Sequence, residues 1–151
     1  MSRRQVFLES VSGLLILLFL YASISKFLDF GTFYHDLNNQ PLPDSWTPFL
    51  VWFIPCTEIT ISIALLLERT RLLGFYASLV LMSLFTIYAI MILLHFFAYV
   101  PCSCGGVIKH LTWPQHLALN LLFLVLAASG IRIQRSKLFK QSLISTKNSL
   151  V

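Results

Sequence analysis

The fold class predicted from this sequence is all-α: an integral four-helix transmembrane bundle with both termini in the cytoplasm (N-in/C-in). Three observations predict it. Of the 151 residues, 57% are hydrophobic and only 11% are charged. A soluble domain carries about 25% charged residues, and so few charges cannot cover a water-facing surface. Four apolar runs each reach the ~20 residues that a helix needs to cross ~30 Å of hydrocarbon. The basic residues cluster at alternate ends of those runs. Backbone groups in lipid must be satisfied within a helix or a closed barrel, and continuous runs of this length are helical.

The first span is about Val6–Ser25, "VFLESVSGLLILLFLYASIS". It is too long for a signal-peptide core, and no small-residue cleavage site follows, so it is expected to remain in the protein. A polar connection follows, "KFLDFGTFYHDLNNQPLPDSW", residues Lys26–Trp46. Phe27, Phe30 and Phe33/Tyr34 recur near helical spacing there and suggest a segment lying along the interface. Pro41 and Pro43 break any helix beyond it. The second span is about Thr47–Leu67, the third about Leu72–Val100 and the fourth about Trp113–Ile131. A basic tail, 132–151, ends the chain. No internal repeat or low-complexity tract is visible.

Arg3, Arg4, Arg69, Arg71, Arg132, Arg135, Lys137, Lys140 and Lys147 fall on one side, leaving Lys26 and Lys109 of the eleven basic residues on the other. The positive-inside rule then places both termini in the cytoplasm. The net charge of +5 is therefore read as an orientation signal. Nucleic-acid binding is not expected, because no aromatic interleaving or binding motif accompanies the tail. No strongly broken span or inverted repeat supports a transporter.

Between spans three and four lies "YVPCSCGGVIKHLTW". Cys102 and Cys104 flank Ser103, and residues two apart can come within disulfide distance. Such a ring is small and strained, and strained exposed disulfides are labile and oxidising. Gly105 and Gly106 let the chain turn and leave the sulfurs uncovered. In a bacterium this loop would face the periplasm, where disulfides persist. Thr112 and Gln115 have capping-box spacing with Pro114 in the first turn, so a helix start is expected beside the cysteines. Its partial positive charge lowers a nearby thiol pKa. His116 could exchange protons with a thiol or a quinone oxygen, and Asn120 lies one turn on along the same helix face; local packing of His116 is the alternative. A purely structural disulfide would close almost no loop. A zinc site from Cys102, Cys104, His110 and His116 is a further alternative, although Cys-X-Cys is tighter than the usual ligand spacing.

Glu58 lies well inside span two. A carboxylate there must be protonated, paired or face a wet cavity, and Lys26 is a partner if helices one and two meet. Thr57, Thr60 and Ser62 are expected to bind neighbouring helices. Cys56 reads as an inert small residue. His95 and Trp113 would line an outer pocket with Lys26 and Asn120; packing of His95 against Phe96 and Phe97 is the bland alternative.

"YASISKFLDFGTF" after span one, "PCTEI" in span two and "PCSCGG" before span four together resemble the MauE/DoxX-like redox-associated membrane proteins, over about residues 8–130. The resemblance implies a four-helix membrane bundle in disulfide formation or maturation of exported proteins. It also implies a thioredoxin-fold or exported-client partner and a link to the quinone pool. Carried over, Cys102 and Cys104 are the redox pair, Pro55 and Glu58 the Pro-X-X-Glu of span two, and Lys26 with Asp29 the exit motif of helix one. The family pattern often reads Cys-Gly-Cys-Phe-Gly, from which Ser103 and Gly105 depart. Quinone-linked disulfide generators usually have a second cysteine pair, which this chain lacks. The expected protein is thus an inner-membrane thiol–disulfide oxidoreductase. A non-catalytic maturation factor or complex subunit, whose loop binds a client or a metal, is the second reading.

Overall fold

The computed structural model describes residues 3–96 and 112–149, with the backbone alone at 141 and 143–149. The elements in order are α1 (Arg3–Leu28), α2 (Phe30–Asn38), a 3-10 turn (Asp44–Trp46), α3 (Thr47–Leu66), α4 (Arg71–Leu93) and α5 (Trp113–Ser149). Four of these helices are long and apolar enough to cross a membrane. α1 packs on α3 and α5, and α4 packs on the same two, so the four close into an up-and-down ring.

In lipid, apolar side chains do not by themselves choose the inward face. Small and polar residues do, by allowing close approach and supplying hydrogen bonds. Accordingly Ser12, Ser23, Ser62, Ser78, Ala22, Ala89 and Ala127 are buried, while Leu17, Ile24, Trp52, Phe53 and Val80 face outward. The main core joins Leu8, Val11, Leu15 and Phe19 of α1 to Ile61, Leu65, Phe75, Met82, Ala127 and Ile131. Gly130 is needed where α5 meets α4, since a Cβ there would overlap the Phe75 ring. Gly74 allows a similar approach, since a Cβ would lie 2.8 Å from the Leu65 nitrogen.

The turn from α3 to α4 satisfies the orphan carbonyls of α3 with side chains. Thr70 Oγ1 donates to the Ala64 carbonyl at 3.0 Å, and Arg71 Nε to that of Leu65 at 3.2 Å. Arg71 Nη1 also reaches Glu9 Oε1 of α1 at 2.8 Å.

Four membrane-length helices are present as expected, and three of their bounds differ from the sequence reading. α1 continues to Leu28, which brings Lys26 into the helix. α5 continues without a break through the basic segment to Ser149, because nothing after Gly130 in that segment is glycine or proline. The third span stops at Leu93 instead of running to Val100. Its end is a Schellman motif: the His95 amide donates to the Ile92 carbonyl and the Phe96 amide to that of Met91, each at 3.0 Å. His95 takes the left-handed position at φ 53°, a place usually held by glycine.

The interfacial segment is the short helix α2. It buries Phe33 and Leu37 against Val51 of α3. Gln40, just beyond it, is buried; its Nε2 donates to the Asp36 carbonyl at 3.0 Å, and Tyr88 Oη of α4 donates to its Oε1.

Candidate functional site

The site is a buried ion pair beneath a short lid. Lys26 lies near the C-terminal end of α1, and Glu58 lies about 16 Å along α3 from Thr47, by helical rise. A lysine so near a helix end would ordinarily snorkel outward. Here the Cα–Cβ bond tilts toward the helix N-terminus, which aims the stem back into the bundle. Lys26 Nζ donates to Glu58 Oε1 at 2.7 Å and to Oε2 at 3.0 Å. It also donates to the Ala22 carbonyl at 3.4 Å, one turn back. The Phe33 ring of α2 lies with its centroid 5.8 Å from the ammonium, a cation–π contact that covers it from outside. The two side chains are only 8% and 2% exposed.

Pro55 is buried one turn before Glu58. It lacks the N–H that would bond the Val51 carbonyl, which loosens α3 there. Ser62 Oγ donates to the Glu58 carbonyl at 2.9 Å. Thr57 and Thr60 likewise bond the carbonyls of Phe53 and Cys56 in their own helix, at 2.7 and 2.8 Å. These three hydroxyls therefore do not tie α3 to its neighbours as expected, because the carbonyl one turn back is always within reach. Cys56 faces outward as a free thiol.

A second group stands at the start of α5. Gln115 Oε1 accepts from the Thr112 amide at 2.9 Å, which is half of the expected capping box. The Trp113 ring meets Tyr88 of α4 edge-on at 6.3 Å and lies 6.1 Å from His116. His116 Nε2 is buried with no hydrogen-bond partner among the described residues. Asn120 is half-buried one turn further along. His95 differs from expectation: it sits in the α4 cap beyond the helix, and its side chain is exposed. Cys102, Cys104 and His110 lie outside the described residues.

Of the residues singled out from sequence, the fold brings Lys26 to Glu58 and Trp113 to His116. Every hydrogen bond described for the Lys26 and Glu58 side chains is to each other or to Ala22. Sequence reasoning did not find Glu9–Arg71 or Gln40–Tyr88. A lone glutamate near the start of span one was the available signal for the first. Nothing marks the second. Chemically, an ammonium and a carboxylate in direct contact can hold a transferable proton inside the bundle, shielded from water by α2.

Four long apolar helices packed in a ring, with an ion pair buried between α1 and α3, define a multi-pass helical membrane protein. The chain belongs to the family described as methylamine utilisation protein MauE, whose family model matches residues 4–133. Neither the curated proteins nor the solved structures yield a match.

Proposed function

We propose that this protein is a membrane thiol–disulfide redox protein that exchanges disulfides through Cys102 and Cys104. The supporting observation is the Cys-X-Cys pair on the connection between α4 and α5. The pair stands in sequence between the capped end of α4 and the capped start of α5. Lys26 lies near the same end, since α1 also finishes there. In this reading both termini are cytoplasmic, the membrane is the bacterial inner membrane, and the cysteines face the periplasm.

A thiolate of a thioredoxin-like partner or exported client attacks one sulfur, giving a mixed disulfide and a free thiolate on the other cysteine. A second partner thiolate completes the exchange, leaving the partner oxidised and Cys102 and Cys104 reduced. Run in reverse, the same steps reduce the partner. The two electrons pass to or from a membrane quinone, with His116 and Glu58 handling protons and Lys26, His95, Trp113 and Asn120 lining the quinone's approach. The DoxX-like side of the resemblance belongs to this reading. The family's name sets the context as methylamine utilisation, where the protein would serve the maturation of exported proteins.

Trapping tests it. Cys104→Ser should accumulate a higher-mass adduct that reductant dissolves, Cys102→Ser less, and the double variant none. The second reading, a non-catalytic maturation factor, predicts no adduct; with a metal on the loop it predicts stoichiometric zinc in the purified protein. Zinc on reduced thiols, with no mixed disulfide from either single variant, overturns the redox assignment.

A further inference from the structure

We infer that the groove between the start of α1 and the far half of α5 is a binding site for the phosphate-bearing headgroup of an anionic membrane phospholipid. The groove is a half-open depression of about 520 Å³, and Arg4, Arg132, Lys137 and Lys140 line it. Arg132, Ser136 and Lys140 follow one another at i, i+4 and i+8, so they form a single ridge of α5. Arg4 closes the groove from α1. None of these four cations has an ion-pair partner among the described residues; Glu9, the nearby acid of α1, is already held by Arg71. Cations gathered in one cavity with no anion repel each other, and a bound anion removes that repulsion.

The depth of the groove selects a lipid over a free anion. The apolar part of α5 that begins at Trp113 spans ~30 Å of hydrocarbon in ~20 residues, which ends near Arg132. Arg132 to Lys140 therefore stand at headgroup level. Leu8 and Ile133 line the inner wall of the same cavity, where the first carbons of an acyl chain would lie. A phosphate with attached acyl chains matches both walls, while inorganic phosphate matches one.

The test uses the full chain purified in detergent, with lipid binding read by native mass spectrometry. Phosphatidylglycerol should be retained in preference to phosphatidylcholine. A basic residue in contact with an anionic headgroup contributes about fivefold to its binding. Arg132→Gln and Lys137→Gln should each lose about fivefold of that preference, and the double variant about 25-fold. Arg69→Gln, in the α3–α4 turn at the same end but outside the groove, should lose none. An equal loss from Arg69→Gln, or no preference in the native chain, overturns the site. Displacement of phosphatidylglycerol by millimolar inorganic phosphate overturns the lipid assignment. The two single variants keep the reading available if the double variant fails to fold.

Discussion

The Lys26–Glu58 pair yields the sharpest prediction. At 2.7 Å and an effective dielectric of about 20, the Coulomb attraction is about 6 kcal/mol. Desolvation of both ions offsets most of it, so the pair adds little net stability compared with two apolar residues. Breaking it is different. Lys26→Met leaves a carboxylate in the bundle without its cation, and Glu58→Met leaves an ammonium without its anion. Each single variant should cost about 3–5 kcal/mol, because an uncompensated buried charge carries its full desolvation penalty. Lys26→Met/Glu58→Met should cost far less than the sum, since no charge remains and methionine fills both stems. The measurement is unfolding of purified protein in mixed micelles, followed by far-UV circular dichroism. The coupling energy should lie well above the ~0.5 kcal/mol seen for independent sites. Single variants within about 1 kcal/mol of the parent, and additive in the double, would refute a buried ion pair. The same pair separates structure from chemistry. Glu58→Gln keeps the shape and a hydrogen bond to Lys26 but cannot ionise. Its amide oxygen still accepts from Lys26 but supplies no countercharge, so it should be less destabilised than Glu58→Met; if Glu58 relays protons, the fraction that folds should lose turnover at every pH. Normal turnover would make the residue purely structural.

Two further outcomes follow from the fold and the charge pattern. Gly130→Val should destabilise the protein by about 1–3 kcal/mol, because the new side chain meets the Phe75 ring, and Phe75→Ala in the same chain should recover part of the loss; equal stability of Gly130→Val and parent contradicts the close α4–α5 contact. In a background with Cys56, Cys102 and Cys104 replaced by serine, Asn38→Cys should react with an impermeant thiol reagent in whole cells and Ser145→Cys should not; the opposite pattern reverses the orientation.

Hydropathy along the chain was sufficient for the four apolar helices, because spanning lipid demands long apolar helices whatever their neighbours; which helices adjoin in the ring came from the tertiary structure. The cap at Thr112–Gln115 was legible for a local reason: the residues that satisfy one another are three apart. Lys26 was legible as a partner for Glu58 only on the condition that helices one and two meet, as a cation near the outer end of span one. Its realisation was a tertiary matter, since it needed the inward tilt of the stem, the contact of α1 with α3 and the cover of Phe33. The end of α4 was illegible, because a Schellman cap built on His95 carries neither glycine nor proline. The inward faces were illegible too. Both sides of a membrane helix are apolar, so periodicity does not separate lipid from protein. The choice falls to fits such as Gly130 on Phe75, and to polar pairs such as Arg71 with Glu9 and Tyr88 with Gln40, which exist only once distant helices meet.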